Sequence, residues 1–258
     1  MCGLRLPPFV ETSIRRAPYR WPERHILVDT VFSKVYRIFL LSPAYAGGER
    51  ARMLFRDQAT FPLAVKLRTE GAPLSEVFTF LSGLYFRGKT AYADRFAAAP
   101  DGVAGSFVIT PNRGLVPSDT IVTFSDLQEM AAVPVDASEL RYRTPLEREA
   151  RIIESAVGAS CVFVLLGSIA TAKYVEPLLQ VFGTRLLFPA DFVGRGDMSR
   201  GGLLLRCARD GIELDYVAVM NAVRQGRRPP KLPRLTREGS VSGSDAFAAR
   251  IKERFDAE

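Results

Sequence analysis

The chain has 258 residues, 47% hydrophobic and 24% charged, with 35 Lys and Arg against 28 Asp and Glu and a net charge of +7. That is enough apolar material for one sizeable core, and the positive excess attracts polyanions, because neutralising phosphates releases bound counterions. One histidine, His25, and three scattered cysteines, Cys2, Cys161 and Cys207, exclude a zinc site and leave a Ser-His-Asp triad only His25, so neither a metal nor a cofactor is expected.

The first 30 residues are rich in Arg and Pro (RLPPF, IRRAPYRWPERH) and read as an extension without regular core elements. The start, MCGLRLPPF, lacks the apolar stretch of a signal peptide, and no apolar run approaches the ~20 residues of a membrane span. The expectation is a cytoplasmic protein without a membrane partner, acting as a monomer. Residues 35–41 (VYRIFLL) form a continuous apolar run that stops at Ser42-Pro43, as a buried strand does. Residues 47–56 can open a helix. From Pro73 to Ala98 the apolar positions Val77, Phe78, Leu81, Leu84 and Tyr85 keep helical spacing, with a break expected between Gly83 and Lys89.

A second strand is expected over 105–110 (GSFVIT), leaving through Pro111-Asn112-Arg113-Gly114. A helix follows over 144–157, with Thr144 as N-cap and Pro145 in its first turn. Residues 160–168 (SCVFVLLGS) are the most apolar strand, followed by a helix from Ile169 to Phe182. RLLFP at 185–189 is a fourth strand, and Met198 to Arg209 a last helix. Strands alternating with helices predict an α/β three-layer sandwich around a central, mostly parallel four-stranded sheet. Its catalytic domain is expected to span 31–220, with a basic, Pro-rich segment and a C-terminal helix over 221–258. Parallel strands joined by right-handed crossovers bring every strand exit to one edge, where open α/β sheets bind ligands.

Those exits hold the candidate residues. The loop Ser42-Pro43-Ala44-Tyr45-Ala46-Gly47-Gly48 lets backbone amides approach an anion or a base edge, with Tyr45 able to stack or to pack locally. It matches neither a Walker A motif nor GxGxxG. Tyr85-Phe86-Arg87-Gly88-Lys89 interleaves aromatics with cations, as a nucleic-acid platform does, though the rings suit a core equally well. The stretch Asn112 to Asp119 can read a base or form an Asx turn. Asp191 to Arg200 combines carboxylates, glycines and arginines, and Asp197 and Ser199 are also credible helix caps. Arg224 to Arg237 holds basic residues and prolines without an acid; it reads as a solvated linker or as a phosphate-contacting arm through Arg227, Arg228 and Lys231.

The order of these pieces resembles the uracil-DNA glycosylase superfamily. The matching stretches are FLLSPAYAGG at 39–48, Val164-Leu165-Leu166-Gly167-Ser168-Ile169-Ala170, Gly194 to Ser199, and Gly211-Ile212-Glu213-Leu214-Asp215-Tyr216. Leu84 to Ala93 and Val108 to Asp119 also look like a family of uncharacterised bacterial domains. Two features depart from the superfamily: the first loop has no Asp or Asn, only Glu49 after it, and the second reads Pro-Ala-Asp-Phe-Val without a His.

The resemblance implies a DNA glycosylase that flips a damaged or modified base from double-stranded DNA and leaves an abasic site, in repair or in defence against phages with modified DNA. Under it, Asp191, Asp119 or Glu49 serve the sugar or the water, and Asn112 joins them as a catalytic candidate. Pro43, Ala44, Tyr45, Tyr85, Phe86, Arg113 and Ser168 would surround the base. Arg87, Lys89, Arg195, Ser199, Arg200, Arg227, Arg228 and Lys231 would hold DNA, with Met198 or Phe192 as a wedge. The other readings are a glycosyl hydrolase or transferase acting on small nucleosides, and a nucleic-acid-binding module without catalysis.

Overall fold

The structure, a computed structural model, describes residues 35–224 and 226–232. The N-terminal extension over 1–30 and the helix expected near the C-terminus lie outside the described residues. β1 (Tyr36–Leu41) is the first element. Ile38 to Leu41 are wholly buried, which is why an unbroken apolar run was needed there: both of its faces are covered. The chain then forms α1 (Glu49–Phe55), α2 (Pro62–Thr69), the two-residue β2 (Ala72–Pro73), α3 (Leu74–Ser82) and α4 (Leu84–Phe96). α3 and α4 are separated at Gly83, whose φ of 67° is closed to most side chains, so the expected break falls at the first residue of the expected interval.

β3 (Ser106–Thr110) and β4 (Gly114–Pro117) form a hairpin. Its turn is tied by the Thr110 hydroxyl, which donates to the Gly114 carbonyl at 2.9 Å and accepts from the Arg113 amide at 3.1 Å. β5 (Ile121–Val122) pairs with β2 in a separate two-stranded sheet. α5 (Phe124–Ala131) opens with a capping box between Thr123 and Asp126, and α6 (Leu140–Val157) follows. The last elements are β6 (Cys161–Leu166), α7 (Ala172–Phe182), β7 (Leu186–Pro189), α8 (Asp197–Asp210) and β8 (Tyr216–Ala218).

The main sheet has the order β4-β3-β1-β6-β7-β8. β3, β1, β6 and β7 are parallel, while β4 and β8 add antiparallel edges. The fold is therefore α/β with a mostly parallel sheet flanked by helices, but the sheet has six strands rather than four. The two extra strands are short, and β4 ends in Pro117, which cannot donate to a ladder and is tolerated at an edge. Segments of three or four residues carry no readable periodicity.

Further differences concern helix starts. α6 begins at Leu140, because the Glu139 side chain accepts from the Arg141 amide at 3.1 Å and caps it; Thr144 and Pro145 lie inside the helix. α8 begins at Asp197 after Gly196, with no side-chain cap, so neither Asp197 nor Ser199 acts as one. Residues 169–171 stay outside α7, which starts at Ala172.

α4 and α8 make the closest helix contact. A Cβ on Gly88 would stand 2.7 Å from the Gly201 carbonyl oxygen, and one on Gly201 would stand 2.7 Å from the Tyr85 Cα. Both obstacles are backbone, which cannot swing aside. Gly201→Ala should therefore destabilise the protein by about 1–3 kcal/mol through overpacking, despite the ~1 kcal/mol that Ala gains over Gly in a helix. Urea unfolding is the measurement; an unchanged or raised midpoint would mean that the helices are not packed this closely.

Candidate functional site

The carboxyl ends of the parallel strands form the candidate site. β1 leaves the sheet at Ser42, whose amide still donates to the Leu166 carbonyl at 3.2 Å, so the pairing with β6 continues one residue beyond the strand. Ser42 is only 6% exposed. Its carbonyl accepts a hydrogen bond from Lys89 Nζ at 2.6 Å, and its hydroxyl accepts one at 3.0 Å. Lys89, on α4, is 1% exposed, and the Tyr85 and Phe86 rings lie 4.6 and 4.4 Å from its nitrogen. Desolvation pushes the Lys89 amine down to about 7, with Asp197 at the start of α8 acting in the opposite direction.

β6 leaves beside it. A Cβ on Gly167 would lie 2.8 Å from the Ser42 Cβ and 3.0 Å from the Tyr174 hydroxyl, so only glycine lets the two exits close together. Tyr174, on α7, holds the next residue by both backbone groups: its hydroxyl accepts from the Ser168 amide at 3.1 Å and donates to the Ser168 carbonyl at 2.9 Å. The Tyr85 hydroxyl is buried close to the Arg200 guanidinium. Burial raises its pKa, opposed by the charge of Arg200. Ser42, Lys89, Tyr85, Tyr174 and the first turn of α8 are thus one polar cluster beneath the edge.

Above this floor the exits diverge. Tyr45 is 79% exposed, and its ring covers the backbone of Gly47 and Gly48. At the β3 exit the Asn112 side-chain oxygen is buried without a partner. After β7, Asp191 is half-buried in a 3-10 turn, and its carbonyl accepts from Arg195 Nε at 2.9 Å. Arg200 donates to the Phe192 carbonyl through Nε and Nη2, at 3.3 and 3.1 Å. Met198 is exposed on the first turn of α8, next to half-buried Ser199. The described part of the basic tail reaches this loop: Arg195 Nη1 donates to the Pro230 carbonyl at 3.5 Å, Leu232 packs against the core, and Arg227, Arg228 and Lys231 are exposed.

The strand exits therefore collect Pro43, Ala44, Tyr45, Asn112, Ser168 and Asp191, with Met198, Ser199 and Arg200 on the following helix. They do not collect Asp119. β4 runs back along β3, and the Ser118 amide donates to the carbonyl of Ser106, the first residue of β3, at 3.2 Å. This puts Asp119 at the opposite edge and removes it from the catalytic candidates.

Lys89 is likewise corrected, because a wholly buried amine cannot grip a surface phosphate. Phe86 is wholly buried and Tyr85 nearly so, which makes them core rings rather than an open base wall. Arg113 is held by Asp126 at 2.5 Å and by Glu129 at 2.9 Å, so its charge is already answered. Glu49 stands exposed on α1 beside Arg52, at 3.3 Å. Arg87 is exposed on α4. Ser42 belongs to the loop expected to approach a ligand, but its bond to Lys89 has no signature in the sequence; Tyr174 carries no sequence signal at all. Among the described residues no cluster of His, Cys, Asp and Glu could hold a metal ion, and no helix is long and apolar enough to cross a membrane.

The buried amine gives a pH signature. An unfolded lysine keeps its proton up to about pH 10.4, whereas the folded amine releases it near 7. Below pH 7 both states hold the proton and folding bears the full cost of burying a charge. Between about 7 and 10.4 only the unfolded state holds it, so this group's contribution to stability improves as pH rises, by at most ~1.4 kcal/mol per unit. Urea unfolding at about pH 7 and about pH 9 should show a larger gain for the native chain than for Lys89→Met. Equal gains in the two proteins would place the amine in water.

No protein-family model matches the chain, and neither does any curated protein or solved structure.

Proposed function

We propose that the chain is a DNA N-glycosylase of the uracil-DNA glycosylase type, removing a damaged or modified base at this edge and leaving an abasic site. The observation that carries the reading is the parallel order β3-β1-β6-β7. It gathers loop 43–48, Asn112, Ser168 and Asp191 at one edge, beside which run the exposed cations of residues 227–231.

A base cannot be attacked inside the stack, so it is first flipped into a protein pocket. Tyr45 offers the exposed face on which it stacks, and Met198 is the exposed apolar side chain that enters the space left behind. Asn112, half-buried at the β3 exit, meets the base edge with its side-chain amide. Cleavage of the C1′–N bond leaves its electron pair on the base and positive charge on the sugar. A water oxygen bonds to C1′ and gives up a proton, which the Asp191 carboxylate accepts. The same carboxylate steadies the sugar cation, and it does so chiefly in the transition state, where that charge exists.

Incubation with end-labelled duplexes carrying uracil, alkylated bases or modified cytosines, followed by alkali, should give scission at one of those bases. Asp191→Asn should slow it by about 100-fold or more while DNA affinity is kept. Salt-sensitive binding without scission on any duplex would refute the glycosylase and leave a binding module.

A further inference from the structure

A second feature lies outside the strand exits. α1, the end of α3 and the start of α4 line an open groove of about 470 Å³, within the range of small-molecule sites. Its lining is mostly apolar, with Met53, Phe80 and Leu84, and includes two arginines, Arg50 and Arg87, and no acid. Phe80 is a braced platform, stacked on Phe61 with ring centroids 5.4 Å apart and planes 20° from parallel. Arg50 is braced too, donating from Nη1 to the Phe80 carbonyl at 3.0 Å. A Cβ on Gly83 would come within 2.7 Å of Arg50 Nη1, so the glycine that separates α3 from α4 also leaves room for this guanidinium. Its other N–H groups can serve an anion. Arg87 is exposed one turn into α4.

We infer that this groove seats one nucleotide unit of a nucleic-acid strand, its base against Phe80 and its phosphate between Arg50 and Arg87. A flat apolar platform with two cations at its margin is the arrangement that single-stranded nucleic acids use, through stacking and charge. The inference rests on the glycosylase reading for the identity of the polymer. It adds a contact for an unpaired nucleotide of the DNA outside the base pocket, on the α1 side of the edge.

The test is fluorescence anisotropy with a labelled single strand of ~16 nucleotides, titrated with NaCl, using the full chain. Arg87 is exposed, so Arg87→Glu should fold normally, and Arg148→Glu on α6 makes the same charge change in the other helical layer. Arg87→Glu should weaken binding by about tenfold and flatten the salt dependence by about one counterion, whereas Arg148→Glu should change little. Irradiating a strand that carries 5-iodouracil should cross-link it to the peptide containing Phe80. Equal effects of the two substitutions, cross-links only elsewhere, or displacement of the strand by an equimolar free nucleotide would each overturn the inference. These readouts are independent of base release. Arg87-dependent binding without abasic sites would remove the glycosylase and keep the groove; scission with Arg87-independent binding would do the reverse.

Discussion

A buried amine holds the exit of the central strand. Taking an ammonium out of water is expensive, and the cost is recovered only through good hydrogen bonds or loss of the proton. Lys89 does both: it donates to the Ser42 carbonyl and hydroxyl, and its pKa falls toward neutrality. The Ser42 carbonyl lies just beyond the strand, and Lys89 donates to it. Lys89 thereby connects the end of β1 to α4, and the 43–48 loop departs from a fixed point.

Close backbone contact keeps this amine dry. Gly88 and Gly201 bring α4 against α8, and Gly167 brings the β6 exit against Ser42. Any side chain at these positions would push the layers apart and admit water to the amine. The glycines and the lysine therefore depend on one another: the short helix separation makes the site apolar, and the apolar site shifts the amine. Asp197 and Arg200 lie at the rim of the same contact, so the first turn of α8 is electrically joined to the strand exit beneath it.

The edge consequently has a stiff base and projecting tips. Arg195 and Arg200 are fastened to the carbonyls of Asp191 and Phe192, whereas Tyr45 and Met198 reach into solvent. Rigid elements presenting a few exposed groups are the usual means by which a fold displays a binding site. A pinned arginine still has N–H groups to offer, but from a set direction, which favours recognition of a ligand of one shape.

The sequence by itself determined the helix–strand alternation, the four parallel strands and a helix break between Gly83 and Lys89, which the structure puts at Gly83 while Gly88 stays inside α4. Each rests on a local cause: long apolar runs must be covered on both faces, and a positive φ demands glycine. It also identified the loops that meet at one edge, since parallel strands all end on the same side. It could not tell that Asp119 lies at the far edge, because β4 is four residues long and its reversal is decided by pairing with β3. Nor could it separate Lys89 from Arg87 two positions earlier. Both are cations on one helix, and only the packing of α4 under α8 turns one inward beneath Ser42 and leaves the other facing water.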